Sequence, residues 1–385
     1  MTDDSPLLLD VTRLIWRRWK GRHPTGIDRV CLAYLDHFGD RAQAVIQHDR
    51  FRGILDRNAS RQLFALLEGS PRRFRWKLAP AILRNLRRLN CAGHDRLYLN
   101  IGHTGLNSAG FSDWLAKTSV RPVYLVHDLI PISHPEFCRA GEAEKHRRRM
   151  RTILSTAAGV IGNSQATLDE LAGFAKEEGL PAPPGLAAWL GSDALPKPTH
   201  VQTPGRPTFV ILGTIEARKN HFMLLQIWLR LIDRWGSAAP RLLVIGQRGW
   251  EAEPVFDMLD RTDRLRGHVV ELNHCSDAEL AVHLASARAL LFPSLVEGFG
   301  LPLVEALAMG VPVIASDVPV FREIGADIPT YLDPRNEAAW ESAIIEYSQA
   351  GSAERAAQLD RIKGFRAPTW PEHFERVETW LRTLG

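Results

Sequence analysis

Two glutamates eight positions apart, Glu297 and Glu305, bracket the run Pro293-Ser294-Leu295-Val296-Glu297-Gly298-Phe299-Gly300-Leu301-Pro302-Leu303-Val304-Glu305. An ionised carboxylate only accepts hydrogen bonds, and it accepts strongly from the hydroxyls of a sugar or a ribose. On one unbroken helix, eight residues would separate the pair by about 12 Å along the axis. The glycines and Pro302 instead place Glu297 on a loop and Glu305 about one turn into a helix that begins near Leu301 or Pro302, where proline is tolerated. The unpaired N–H groups and positive dipole end of such a helix suit a diphosphate, and glycine lets the ligand come close. Taken alone, the same residues could equally be a surface loop with a helix-capping acid.

A basic pair, Arg218-Lys219, stands in Gly213-Thr214-Ile215-Glu216-Ala217-Arg218-Lys219-Asn220, between a strand and a helix with Asn220 as its expected cap. Cations are poor neighbours for a helix N-terminus, so a bound anion accounts for them better than solvation does. In the first half, His127 ends the run Val123-Tyr124-Leu125-Val126 at the carboxyl edge of an expected sheet, where open α/β sheets bind ligands. A lone histidine there also has a structural reading, and Asp128 could cap a turn.

The elements that must hold these residues follow from alternating apolar runs and helical patterns, the signature of parallel βαβ units. Strands are expected at 209–212, 242–245, 269–272, 289–292 and 313–315, with a helix from about His221 to Trp235. The first half repeats the alternation more loosely, at 7–11, 97–101, 123–126 and 158–161. The Pro-, Gly- and Ala-rich stretch 181–207 reads as a linker. The expected division is 1–200, a first parallel-sheet domain; 201–365, a second; and 366–385, an amphipathic helix packing back toward the first.

The chain has 385 residues, enough for two cores, and 45% hydrophobic and 24% charged residues place it among ordinary globular proteins. Four scattered cysteines, Cys31, Cys91, Cys138 and Cys275, suggest neither a zinc site nor a disulfide framework and fit a reducing cytoplasm. No apolar run reaches the roughly 20 residues of a membrane span. The net charge of +4 conceals clusters: Arg13, Arg17, Arg18, Lys20 and Arg22 around Trp16 and Trp19, a second run from Arg72 to Leu89, and a third from Lys145 to Arg151. Basic segments carrying tryptophan suit an anionic membrane surface, so peripheral contact with the inner face of the plasma membrane is expected.

The Glu297-to-Glu305 loop and helix resemble the signature of glycosyltransferase family 4, the group 1 glycosyltransferases: a glutamate, seven residues, and a second glutamate. Gly310-Val311-Pro312-Val313-Ile314-Ala315-Ser316 continues the pattern. The resemblance implies an α/β, GT-B architecture of two Rossmann-like doubly wound domains facing across a cleft. It implies that Glu297 contacts the donor sugar, that Glu305 holds the ribose hydroxyls, and that Gly298, Phe299, Gly300 and Leu301 meet the sugar and distal phosphate. Lys219, with Arg218 and Gly213 in the same turn, matches the family's diphosphate-binding segment, although Thr214 stands where many members have arginine. His127 resembles the family's histidine beside the donor sugar. Gly26, in Pro24-Thr25-Gly26-Ile27-Asp28, resembles its glycine loop, with Asp28 replacing a common glycine.

The implied activity is retaining hexosyl transfer from a nucleoside diphosphate sugar to a glycan or lipid-linked acceptor in bacterial surface or exopolysaccharide synthesis. Segments like those of mannosyltransferases favour GDP-mannose. Because no DxD-like motif accompanies the site, no metal and no obligatory cofactor are expected. Rival readings are another GT-B enzyme, such as a sugar-nucleotide epimerase, and a basic nucleic-acid-binding protein; the latter leaves the glutamate loop unexplained, and no nucleic acid is expected.

Overall fold

The computed structural model describes residues 7–21, 26–48, 51–69, 95–198, 200 and 205–384. The second basic run and Cys91 lie outside these residues, as do Arg22, Pro24 and Thr25. The chain forms two compact units: Met1–Leu129 with Ala143–Leu190 and Trp370–Gly385, and Ile130–Glu142 with Gly191–Thr369. The first thus closes at Leu190 rather than near 200, and a short segment around Pro135 clusters with the second.

The first unit is built on a seven-stranded sheet: β1 (Leu7–Asp10), β2 (Ala42–His48), β3 (Phe51–Ile54), β4 (Leu97–Asn100), β5 (Arg121–Val126), β6 (Gly159–Gly162) and β7 (Gly185–Ala187). Its order is β3-β2-β1-β4-β5-β6-β7, parallel except for the β2–β3 hairpin. β7 lies inside the stretch expected to be linker; it pairs with β6 through Val160, Ile161 and Gly162. The central strands are buried along their length, as a sheet covered on both faces requires.

Helix Trp370–Leu384 completes this core. Tyr34, fully buried, donates its hydroxyl to His373 Nε2 at 2.9 Å, while His373 Nδ1 donates to the Trp189 carbonyl at 2.9 Å. At the start of β6 a Cβ on Gly159 would fall 2.6 Å from the Trp380 ring, so no larger residue fits beneath the helix.

The second unit carries an all-parallel sheet of β8 (Thr208–Leu212), β9 (Arg241–Ile245), β10 (Val269–Leu272), β11 (Ala289–Phe292), β12 (Val313–Ser316) and β13 (Thr330–Leu332), in the order β10-β9-β8-β11-β12-β13. Strand order reverses between β8 and β11, the position at which an open α/β sheet leaves a crevice beyond its carboxyl ends. Helix His221–Trp235 follows β8 and buries Leu224, Leu225, Trp228 and Leu231 on one face. Burial of each such side chain contributes about 1.5–3 kcal/mol. Asn220 does not cap this helix with its side chain: its backbone is left-handed, at φ 57°, and its Nδ2 donates instead to the Pro334 carbonyl at 2.9 Å.

Candidate active site

The loops after β8 and β11 meet at the reversal point of the second sheet, and the Leu295 amide donates to the Arg218 carbonyl at 2.8 Å to join them. Across this joint lies a set of four charges. Arg218 Nη1 is 2.9 Å from Glu297 Oε2, and its Nε donates to Glu216 Oε2 at 3.0 Å. Lys219 Nζ donates to Glu297 Oε1, which also accepts from Ser294 Oγ at 2.9 Å. The ammonium stands 4.8 Å from the centre of the Phe292 ring. The two cations and two anions sum to zero, and the anions balancing the basic pair are the chain's own.

The Glu297 and Lys219 side chains are 8% and 9% exposed. Burial pushes the Glu297 carboxyl up, but Arg218 and Lys219 outweigh it and hold the group down at about 2. Burial pulls the Lys219 ammonium below its usual range, against the opposing charge of Glu297. Glu216 is pushed up, because burial exceeds what Arg218 and Lys219 recover. Glu297 is the anion at the centre of the cluster, flanked by two cations.

Helix Leu301–Ala308 starts directly after this loop, with Pro302 in its first turn and Gly300 at its N-cap. Gly300 has φ 109°, which disfavours any side chain, and a Cβ there would lie 2.8 Å from the Phe321 ring. Gly298 and Phe299 fill the loop, with Phe299 buried, while Leu301 is half-buried at the first helical position. Glu305 is half-buried one turn in, as the spacing requires. Gly213 follows β8 directly. The residues expected to bind donor on this unit, Gly213, Arg218, Lys219, Glu297 to Leu301 and Glu305, therefore lie on two adjoining strand-to-helix connections.

The other residues expected at the site, His127 and Gly26, belong to the first unit. His127 directly follows β5; it is buried, and its Nε2 donates to the Ile101 carbonyl at 2.8 Å. Burial lowers its pKa from the ordinary 6.5 to about 4. The ring is therefore neutral above that value, protonated at Nε2 and carrying its lone pair on Nδ1. Between about 6.5 and 4 the unfolded chain binds the proton and the folded one does not, so stability falls as pH drops through this window. NMR of the ring protons should show a midpoint near 4, and a midpoint near 6.5 would mean that the ring is solvated. Asn163 Nδ2 donates to the His127 carbonyl at 2.8 Å, and Ser164 caps helix Gln165–Glu177 through the Thr167 amide, so this dipeptide supports the strand end.

Gly26 opens helix Gly26–Phe38 and is exposed. Asp28, two residues on, is buried and accepts from Arg13 Nε at 2.6 Å and Arg17 Nε at 2.5 Å. This acid ties the first two arginines of the basic cluster into the fold, and Arg18 bonds the Leu67 carbonyl. The expected basic stripe is thus partly internal: Arg13, Arg17 and Arg18 have protein partners, whereas Trp16 and Trp19 are 39% and 41% exposed. In the third run, Arg147 and Arg151 pair with Glu178.

Sequence reasoning missed Glu216, Ser294 and Phe292 as parts of the site. The available signal was their position on the same two loops, since Glu216 lies two residues from Arg218 and Ser294 three from Glu297. Among the described residues, no group of three or more His, Cys, Asp or Glu is arranged to hold a metal ion, and no helix is long and apolar enough to cross a membrane.

Residues 206–349 match the family model described as "Glycosyl transferases group 1". The chain is 28% identical over 248 residues to the serotype-specific mannosyltransferase WbdA of Escherichia coli, an alignment covering 58% of this chain and 29% of that protein. It is 42% identical over 119 residues to the O-antigen chain mannosyltransferase RfbU of Salmonella typhimurium, covering 31% and 33%. The chain therefore spans less than a third of the WbdA relative. Among solved structures, Anabaena HepE in complex with UDP superposes with a TM-score of 0.65 at 17% identity, covering 98% of this chain and 100% of that one. Sucrose-phosphate synthase from Thermosynechococcus elongatus superposes at 0.63 and 16%, covering 99% of each. These likenesses show the fold, which is GT-B.

Proposed function

We propose that this chain, whose residues 206–349 match the group 1 glycosyltransferases, moves a sugar from a nucleoside diphosphate sugar to a glycan or lipid-linked acceptor, with retained anomeric configuration and without a metal ion. Mannosyltransferases of O-antigen synthesis among its relatives favour mannose, from GDP-mannose. The observation that carries this reading is the cluster of Arg218, Lys219 and Glu297 beside the N-terminus of helix Leu301–Ala308. A diphosphate placed there competes with Glu297 and Glu216 for two cations already positioned at the helix's positive end, and preorganised stabilisation of this kind supplies most of the rate enhancement in many group transfers.

In the proposed step the bond from the anomeric carbon to the distal phosphate oxygen breaks, and the acceptor oxygen bonds to the same face. The acceptor's proton passes to the leaving phosphate. Lys219, helped by Arg218, stabilises that phosphate, and Glu305 holds the ribose hydroxyls. Glu297 Oε2 keeps acceptor capacity beyond its contact with Arg218 and takes a sugar hydroxyl. His127 offers Nδ1 as an acceptor; with a pKa of about 4 it is too weak a base to remove the acceptor's proton at neutral pH.

A thermal-shift panel of nucleotide sugars tests the donor assignment, because a ligand that binds the folded state raises its melting temperature. GDP-mannose should raise Tm by several degrees, and Glu305→Ala should abolish most of that shift. A panel without any shift, or a shift that survives Glu305→Ala, would overturn the assignment.

The exposed pair Trp16 and Trp19, with Lys20 5.9 Å from the Trp16 ring centre, supports peripheral contact with an anionic membrane. Liposome flotation should show retention on anionic vesicles that a Trp16→Ala/Trp19→Ala variant loses. Equal retention on neutral vesicles would exclude an electrostatic contribution.

A further inference from the structure

Helices Gly26–Phe38 and Trp370–Leu384 line a cavity of about 600 Å³ on the first unit, within the ~300–1,000 Å³ typical of small-ligand sites. Its aromatic part is stacked: the His37 ring lies on Phe374 with centroids 4.0 Å apart and planes 1° apart, and Trp370 stacks on Phe374 at 5.7 Å and 24°. Its polar part is acidic, with Asp36, Glu375 and Glu378 against Arg382. Glu378 is occupied: it accepts from His37 Nε2 at 2.6 Å and pairs with Arg41 and, at 3.5 Å, with Arg382. Asp36 and Glu375 line the cavity and are exposed.

With Glu378 taken up by His37, Arg41 and Arg382, the carboxylates left on the lining are Asp36 and Glu375, which disfavour a phosphate or other acid. A ligand that lays a C–H face on the rings and points uncharged hydroxyl donors at the carboxylates satisfies both halves of the lining. A neutral sugar has that construction. None of these residues belongs to the loops after β8 and β11. We propose that this cavity is a second, non-catalytic binding site for a neutral oligosaccharide, with Trp370 as the stacking platform and Asp36 and Glu375 as hydroxyl acceptors. In an enzyme that extends a glycan, such a site retains the growing chain between transfers and raises its local concentration. The site itself does not depend on the donor assignment; only this role rests on the glycosyltransferase reading.

Saturation-transfer NMR and calorimetry on the full chain with mannotetraose test the site, with maltotetraose and spermidine as comparison ligands. Mannotetraose should bind saturably, with at least tenfold weaker binding in Trp370→Ala and several-fold weaker binding in Asp36→Asn/Glu375→Gln. The second variant alters only exposed groups and keeps the fold testable if Trp370→Ala does not fold. Its thermal shift with a nucleotide sugar should match the wild type, which separates failure at this site from failure of the donor reading. Absence of saccharide binding, saccharide binding unchanged in Asp36→Asn/Glu375→Gln, or binding of spermidine alone would each overturn the proposal; the last would make the cavity a cation site.

Discussion

Lys219→Ala is expected to lower kcat/KM for the donor by about 10²–10³, the range seen when one preorganised transition-state donor is removed. The Nζ group is buried against Glu297 and the Phe292 ring, so alanine removes a positioned charge rather than a solvated one. Arginine should not fully rescue the variant, because its larger planar guanidinium cannot take the buried place of a compact ammonium without displacing Glu297 or the Phe292 ring. The loss of stability should stay below the ~3–5 kcal/mol typical of breaking a buried pair, since Arg218 still holds Glu297 Oε2. Initial rates together with urea unfolding check both halves. Wild-type turnover combined with reduced stability would reduce Lys219 to a structural counter-ion.

Glu297→Gln should show its effect in the acid limb of the stability curve as well as in turnover. The carboxyl lies near 2 in the folded chain against an ordinary 4.5, so its stabilisation is fully present above about 4.5 and disappears as pH falls toward 2. That linkage is on the order of 3 kcal/mol. The wild type should therefore exceed the variant by a constant margin at neutral pH, and the margin should shrink between about 4.5 and 2. Turnover should fall by at least about tenfold, because the variant leaves Lys219 without its anion, Arg218 with Glu216 alone, and the proposed sugar contact with a weaker acceptor. A margin that does not vary with pH would mean that Glu297 is not held as an anion by the pair.

Much of this architecture is legible in the sequence because parallel strands buried on both faces read as short apolar runs. The strands expected at 209–212, 242–245, 269–272 and 289–292 agree with the structure to within a residue, and helix His221–Trp235 agrees at both ends. β2 was not legible for a physical reason: Gln43 and Gln47 interrupt its apolar pattern, yet both are buried and bonded, Gln43 to the Leu55 carbonyl and Gln47 to Asp10 and Tyr98. Strands β7 and β13, three residues each, are too short to show any period. The spacing of Glu297 and Glu305 was legible as a loop followed by a helix start, and the family resemblance pointed to Lys219. The direct pairing of Lys219 with Glu297, 78 positions apart, was not legible, because only the sheet's strand order brings the two loops together. The same blindness to long-range partners made the arginines around Trp16 look like a free stripe when Asp28 holds two of them.

The first unit is assembled from three separate stretches of chain, and its last stretch comes from the far side of the second unit in sequence. During translation, Tyr34 and the shallow floor at Gly159 therefore emerge from the ribosome long before His373 and Trp380 exist to cover them. The nascent first unit must wait, with that apolar surface open to chaperones and to other unfinished chains, until synthesis passes residue 384. A premature stop within the second unit would thus leave both halves defective, and quality control would meet a truncated product that contains no finished domain.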